Sequence, residues 1–250
     1  MSNLPAYEYG KKSMRHRAAL AEGFARQILE TAGPFLTRPA SELDVLDLGC
    51  GYGFTTVELA RRCRRAVGIE PNSALYEAAL NLREDRGLAN LEFRRATAAD
   101  LDERETYDLV VLDNVLEHIV HQGAALATAC AALKQRGVLL VIVPNKLWPM
   151  EVHYDLPLLS YLPLRWANWY LRLSGRGTDY TDASYAPTWF RLRRLFAARA
   201  ELSYQFVVPA DLSLATLGDS LHYRFGAAAL RRFPCLWVFS KMFVVVAVKR

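Results

Sequence analysis

The stretch VLDLGCGYGF, Val45 to Phe54, constrains this chain more than any other. An apolar run ends in three glycines within five residues, and helical spacing resumes directly after them. Strand, tight turn and helix in that order open a βαβ unit. Glycine allows turns and close backbone approach that a Cβ forbids. The same alternation continues downstream. Strand patterns fall at 43–48, 66–70, 91–95, 107–112 and 138–143, and helical patterns at 54–64, 72–86 and 122–134. Asn72 or Ser73 suits the start of the 72–86 helix and Gly87 its stop. The run 107–112 is apolar throughout, as a strand buried on both faces requires. Alternation over 40–143 predicts a parallel sheet with helices on both faces.

The flanks read differently. Residues 16–32 have helical spacing closed by Gly33-Pro34, 188–199 read as a basic helix, and 203–208 and 242–248 are strand-like around a loop-rich stretch. Between them, 145–187 is rich in proline and aromatic residues. The chain has 250 residues, 52% of them hydrophobic, which suffices for a substantial core. Its net charge of +5 is dispersed, with no aromatic–basic repeat, so nucleic acid is not an expected partner. Four scattered cysteines, with no CxxC pair, indicate reduced thiols rather than a disulfide framework or a zinc site. The first seventeen residues lack an apolar core, and the apolar tract 233–248 is broken by Pro234, Ser240 and Lys241. A cytoplasmic protein is expected, with 162–173 able to touch a membrane surface.

Gly49, Gly51 and Gly53 spell G-x-G-x-G, and Phe54 stands where the dinucleotide fingerprint has its third glycine. The phosphate-loop ending is also absent. Asp47 sits just before the loop, where a carboxylate repels a pyrophosphate and favours a cationic ligand. S-adenosylmethionine has an ammonium, a sulfonium and no phosphate. Glu70, seventeen positions past Gly53, ends the second strand, where an acid accepts hydrogen bonds from ribose hydroxyls.

With these residues in place the chain resembles the class I S-adenosylmethionine-dependent methyltransferases. The matching segments are VLDLGCGYGFTT, AVGIEPN, RRATAADL, YDLVVLDNVLEHI and GVLLVIVPN, in the family order, over about 43–145. The resemblance implies an α/β fold: a Rossmann-like, seven-stranded, mostly parallel sheet with helices on both faces, plus an aromatic-rich helical insertion after strand 5. It divides the chain into an N-terminal helical cap, 1–35, and a methyltransferase domain, 36–250, with an acceptor-site lid at 145–187. By the same resemblance Asp47, Gly49, Cys50, Gly51 and Gly53 surround the methionine end of the cofactor. Glu70 and the following Pro71 lie at the ribose, Thr97, Ala98 and Asp100 at the adenine, and Asp113 and Asn114 under the transferred methyl. Tyr7, Tyr9, Lys11 and Lys12 are expected to close over the cofactor.

Methyl transfer needs alignment and desolvation, and a general base where the acceptor is a neutral hydroxyl. His118, in LEHI, and His153, with Tyr154 and Asp155, are the candidate catalytic groups. The LEHI segment resembles that of quinone-biosynthesis O-methyltransferases, which carry a further glutamate where this chain has Asn114, so no metal is expected. Asp113-Asn114-Val115-Leu116 lacks the Asn/Asp-Pro-Pro-aromatic motif of base-methylating relatives. Tyr154, Trp148, Trp166 and Trp169 are candidate acceptor contacts. Residues 162–173 fit a helix with Arg165, Asn168 and Arg172 on one stripe and tryptophans elsewhere, which suits a lid or a membrane-surface helix; Gly175 and Gly177 can hinge it. The expected function is O-methylation of a small, apolar, aromatic or lipid-linked acceptor. A methyltransferase-like binding scaffold without turnover and a nicotinamide-dependent oxidoreductase are the competing readings.

Overall fold

The computed structural model describes residues 10–209 and 221–250. Tyr7 and Tyr9, and the side chains of Lys11, Lys12 and His222, lie outside what is described. Helix α1 (Gly10–Ala32) leads into β1 (Asp44–Leu48), α2 (Phe54–Ala60), β2 (Arg65–Ile69), α3 (Ser73–Arg86), β3 (Leu91–Arg94), β4 (Tyr107–Asp113), α4 (Gln122–Ala132) and β5 (Leu133–Pro144). A two-stranded hairpin of β6 (Met150–Glu151) and β7 (Leu156–Pro157) follows, then α5 (Leu164–Leu173) and α6 (Trp189–Ala197). The chain closes with β8 (Leu202–Phe206), α7 (Leu221–Arg232) and β9 (Met242–Lys249).

Seven strands form one sheet in the order β3-β2-β1-β4-β5-β9-β8. β1 to β5 pair in parallel, and β9 enters antiparallel between β5 and β8. The order reverses at β1, which places β1 and β4 side by side with their C-terminal ends at one edge. Ligand crevices of open α/β sheets lie at such a switch point.

Strand alternation divides the core between two faces. Leu46, Leu48, Phe243, Val245 and Ala247 pack with Leu126, Phe196 and Trp237 on one. Val45, Val244 and Val246 pack with Val57, Leu59 and Phe93 on the other. Ala25, Ile28 and Ala32 of α1 are buried in that second cluster. Residues 154–183 form a small core of their own from Leu156, Leu159, Ala167, Leu171, Tyr180 and Ala183.

Local signals explain most element ends. The Asn72 side chain accepts from the amides of Ala74 and Leu75, and Gly87 ends α3 in the left-handed region. Thr188 caps α6. Three expectations are revised. α1 begins at Gly10 rather than at residue 16. α4 stops at Ala132, because Leu133 pairs with Tyr107 in the sheet and Lys134 bonds Asp44 and Asp108, so β5 starts five residues early. The stretch read as loop-rich contains α7 and a short 3-10 segment, Pro234–Phe239.

Candidate functional site

At the end of β1 the chain turns through three left-handed glycines, Gly49 (φ 83°), Gly51 (φ 57°) and Gly53 (φ 77°). Val115 crowds the first: a Cβ on Gly49 would meet its Cγ2 at 2.5 Å. The amides of Gly49 and Cys50 donate to the Ile69 carbonyl at 2.7 and 3.0 Å, tying the loop to the end of β2. Glu70, next along, braces it further. Its carboxylate accepts from the Gly51 amide at 3.0 Å and the Asn72 amide at 2.8 Å. Each oxygen keeps acceptor capacity for another partner. Burial raises the Glu70 pKa, and those two amide bonds counter it.

Asp47 is buried beneath the loop and accepts from the Thr56 hydroxyl at 2.6 Å. Burial pushes its pKa up to about 7; the Thr56 bond and Arg17 oppose this, while Asp113 and Glu70 add to it. Asp113, at the end of β4, is held by Arg17 of α1 at 3.1 Å. Asn114 takes a left-handed turn (φ 55°) and donates to Asp113 Oδ1 at 2.7 Å. Asp113 and Glu70 thus both bear on Asp47 at the glycine loop. Cys50 is packed within it, and burial and the charges of Asp47 and Glu70 push its thiol pKa upward.

Beyond β3, Thr97 and Asp100 form a capping box around the turn Ala98–Asp100. The Thr97 amide and hydroxyl donate to Asp100 at 2.8 and 2.7 Å. Both residues are exposed, as is Pro71 after β2. The Thr97 hydroxyl is chiefly what lowers the Asp100 pKa.

After Asn114 a 3-10 turn, Leu116–His118, carries the second half of the site. Glu117 is fully buried, and among the described residues neither of its carboxylate oxygens has a hydrogen-bond partner. Burial raises its pKa, and the charges of His118 and His153 counter this. Its Oε1 lies 4.0 Å from His118 Nε2 and 3.7 Å from His153 Nε2. The imidazole rings meet edge to face with centroids 5.4 Å apart. Each ring is fixed from behind: His118 Nδ1 lies 3.1 Å from the Asp182 carbonyl and 3.3 Å from its carboxylate, and His153 Nδ1 lies 2.7 Å from Glu151 Oε1. Burial pulls the His118 pKa down, but the Asp182 hydrogen bond and the charges of Glu117 and Asp182 outweigh it, so the net shift is upward.

The insertion is seated on this turn. Tyr185 donates its amide to the Glu117 carbonyl, and Gln122 Nε2 bridges the carbonyls of Leu116 and Tyr185. Tyr154 follows His153 and donates its hydroxyl to the Asp179 carbonyl. Asp155, expected among the catalytic groups with His153 and Tyr154, is a correction. Asp155 is an exposed residue at φ 51° in the β6–β7 turn, its carbonyl held by Arg176, and Glu151 stands at His153 instead. On the polar stripe of α5, Asn168 bonds Asp179 and the Tyr180 amide, and Arg172 donates to the neighbouring Thr178 carbonyl. Trp166 and Trp169 are 62% and 59% exposed and pair edge to face. Trp148 is half-buried after β5. Gly177 packs tightly against Tyr154, where a Cβ would lie 2.9 Å from the ring.

A family model described as a methyltransferase domain matches residues 39–173, more than half of the chain. The chain belongs to this methyltransferase family. A ubiquinone biosynthesis O-methyltransferase of Bradyrhizobium sp. (strain ORS 278) is 35% identical over 108 residues, 43% of this chain and 42% of that protein. One of Rhodopseudomonas palustris (strain HaA2) is 30% identical over 147 residues, 59% of this chain and 54% of that protein. The chain thus spans about half the length of the curated relatives it matches. A SAM-dependent methyltransferase from Aquifex aeolicus shares the fold with a TM-score of 0.60 at 13% identity, covering 96% of each chain.

The methyltransferase framework accounts for the loop, Glu70 and the end of β4, which the motifs made visible. It does not announce Glu151, Asp182 or Arg17. Glu151 precedes His153 by two residues, a weak local signal. Asp182 and Arg17 reach the site across sixty-four and ninety-six residues, and nothing in the sequence marks them.

Proposed function

We propose that the chain is an S-adenosylmethionine-dependent methyltransferase that O-methylates a small, apolar, aromatic or lipid-linked acceptor. The observation that carries the reading is the acidic cradle. Asp47, Glu70 and Asp113 converge on a loop of three left-handed glycines, with Arg17 as the opposing charge on Asp47 and Asp113. That field disfavours a pyrophosphate and favours a ligand carrying a sulfonium and an ammonium. In this reading the glycine loop with Asp47 and Cys50 takes the methionine end. Glu70 and Pro71 take the ribose, Thr97, Ala98 and Asp100 the adenine, and Asp113 and Asn114 the methyl side.

The acceptor enters on the other side of the Leu116–His118 turn, under the insertion 145–187, where Glu117, His118, His153 and Tyr154 meet. An acceptor hydroxyl there gives its proton to the His118–His153 pair, and its oxygen forms the bond to the methyl carbon. The carbon–sulfur pair returns to sulfur, leaving the thioether S-adenosylhomocysteine. The curated relatives named for ubiquinone biosynthesis support a hydroxylated aromatic acceptor. The exposed Trp166 and Trp169, flanked by Arg165 and Arg172, support contact with a membrane that holds such an acceptor.

Binding of methyl-labelled S-adenosylmethionine, followed by transfer to a panel of phenols and catechols, tests this. The expected result is saturable binding and a labelled methyl ether. Failure to bind S-adenosylmethionine refutes the reading, and preference for a nicotinamide dinucleotide replaces it with the oxidoreductase. Tight binding without product from any acceptor favours the scaffold.

A further inference from the structure

We propose that Glu117, His118 and His153 bind one divalent transition-metal ion at the seam between the sheet and the insertion. The sequence argued against a metal, since the position before the turn that resembled a third ligand is Asn114. The fold supplies a different donor, His153, from thirty-five residues further along. One ligand atom from each of the three residues lies within 4.8 Å of the others.

Three features separate this cluster from an ordinary ion pair. The first is Glu117. Among the described residues neither oxygen of this fully buried carboxylate has a hydrogen bond, which is costly unless a cation compensates it. Both histidine Nε2 atoms face that carboxylate, yet at 4.0 and 3.7 Å they stand too far to satisfy it. The second is the backing of the rings. A ligating imidazole usually gives its other N–H to a carboxylate or carbonyl, which fixes the tautomer and turns the remaining lone pair to the ion. Glu151 does this for His153, and Asp182 for His118. The third is access. The His153 and His118 side chains are 13% and 27% exposed while Glu117 is fully buried, so the site is reachable through its histidines.

Two imidazoles and one carboxylate suit zinc, iron(II), cobalt(II) or manganese(II) better than magnesium or calcium, which prefer all-oxygen sites. Three protein ligands leave a coordination position for an exogenous oxygen. The chemical consequence rests on the methyl-transfer reading: a bound ion would polarise an acceptor hydroxyl in that position, whose proton would then pass to solvent near neutral pH rather than to a histidine. Ion binding itself does not rest on it. Because His153 and Asp182 belong to the insertion, the ion also pins that segment to the end of β4.

Full-length protein stripped with a chelator is titrated with cobalt(II) and zinc(II), read by calorimetry, by the visible absorption of cobalt and by thermal melting. The expected result is one ion per chain, an imidazole-type cobalt spectrum and a higher melting temperature. His153→Gln and Glu117→Gln should each weaken binding by roughly 100-fold or more, and Glu151→Gln by about 10- to 100-fold, with circular dichroism unchanged. His121→Ala, on the exposed start of α4, should bind as the parent does. No ion uptake by the stripped protein overturns the proposal. So does stoichiometric uptake that survives both His153→Gln and Glu117→Gln. Neither result depends on turnover, so failure of the ion site and failure of the methyltransferase reading are distinguishable.

Discussion

Replacing Asp47 with asparagine should stabilise the ligand-free protein and weaken its hold on the cofactor. The carboxyl moves from 3.8 to about 7 on folding, chiefly because it is buried. The folded chain therefore keeps a proton that the unfolded chain releases. Its contribution to stability is full below about pH 4, falls as pH rises, and levels off above about pH 7. A shift of about three units corresponds to ~4 kcal/mol at ~1.36 kcal/mol per unit. Asparagine cannot ionise, but its carbonyl can still accept the Thr56 hydroxyl that Asp47 holds at 2.6 Å. Variant minus parent stability, from urea denaturation, should be near zero at pH 4 and approach ~4 kcal/mol at pH 8. Binding moves the other way. At pH 8 the parent offers a carboxylate to a ligand cation and the variant offers none, a loss of about 1.5–3 kcal/mol by calorimetry. As pH is lowered from about 7 to 5.5 the parent's own affinity should fall roughly tenfold per unit, because binding must first draw off the proton. A stability difference that stays flat from pH 4 to 8 refutes a buried, proton-holding Asp47. Unchanged affinity at pH 8 removes it from the ligand site.

Glu70→Ala removes the acceptor of the Gly51 and Asn72 amides and should lower cofactor affinity by at least about tenfold; equal calorimetric affinity excludes it. Gly49→Ala forces a left-handed alanine into Val115 and should cost about 2–4 kcal/mol in urea. Gly51→Ala meets open space and should cost only about 1 kcal/mol while still reducing cofactor affinity; equal costs for the two contradict the packing. The double variant Trp166→Ala with Trp169→Ala should leave stability within about 0.5 kcal/mol and abolish co-sedimentation with anionic vesicles. Sedimentation equal to the parent removes α5 as the contact.

How legible each part was in the sequence follows from the range of the physics that fixes it. The five parallel strands and the glycine turn rest on local patterning, on caps such as Asn72 and on the left-handed positions that glycine fills. All of these act within a few residues. The end of α4 was misplaced because the choice between continuing the helix and pairing Leu133 with Tyr107 is made by the sheet. That Glu151, and not Asp155, meets the His153 ring has a related cause. Both lie two residues from His153, and only the β6–β7 turn decides which one folds back to the ring.

The six residues from Asp113 to His118 join the two halves of the site. A strand alternates its side chains between two faces, so a continuous β4 would send Asp113 and Glu117 the same way. The left-handed turn at Asn114 breaks that alternation, and Val115 is left packed against the glycine loop. Asp113 then serves the acidic cradle, while Glu117 and His118 turn to meet His153. Glu70 is close enough to be affected by the charges of His118 and Asp182, so the two halves also share an electrostatic field. A change of charge at the His118–His153 cluster should therefore alter the hold of Glu70 on its ligand, and occupancy of the cradle should alter the cluster. On the proposed reading, coupling between the cofactor and acceptor sides needs no moving domain, only a short turn with a carboxylate at each end.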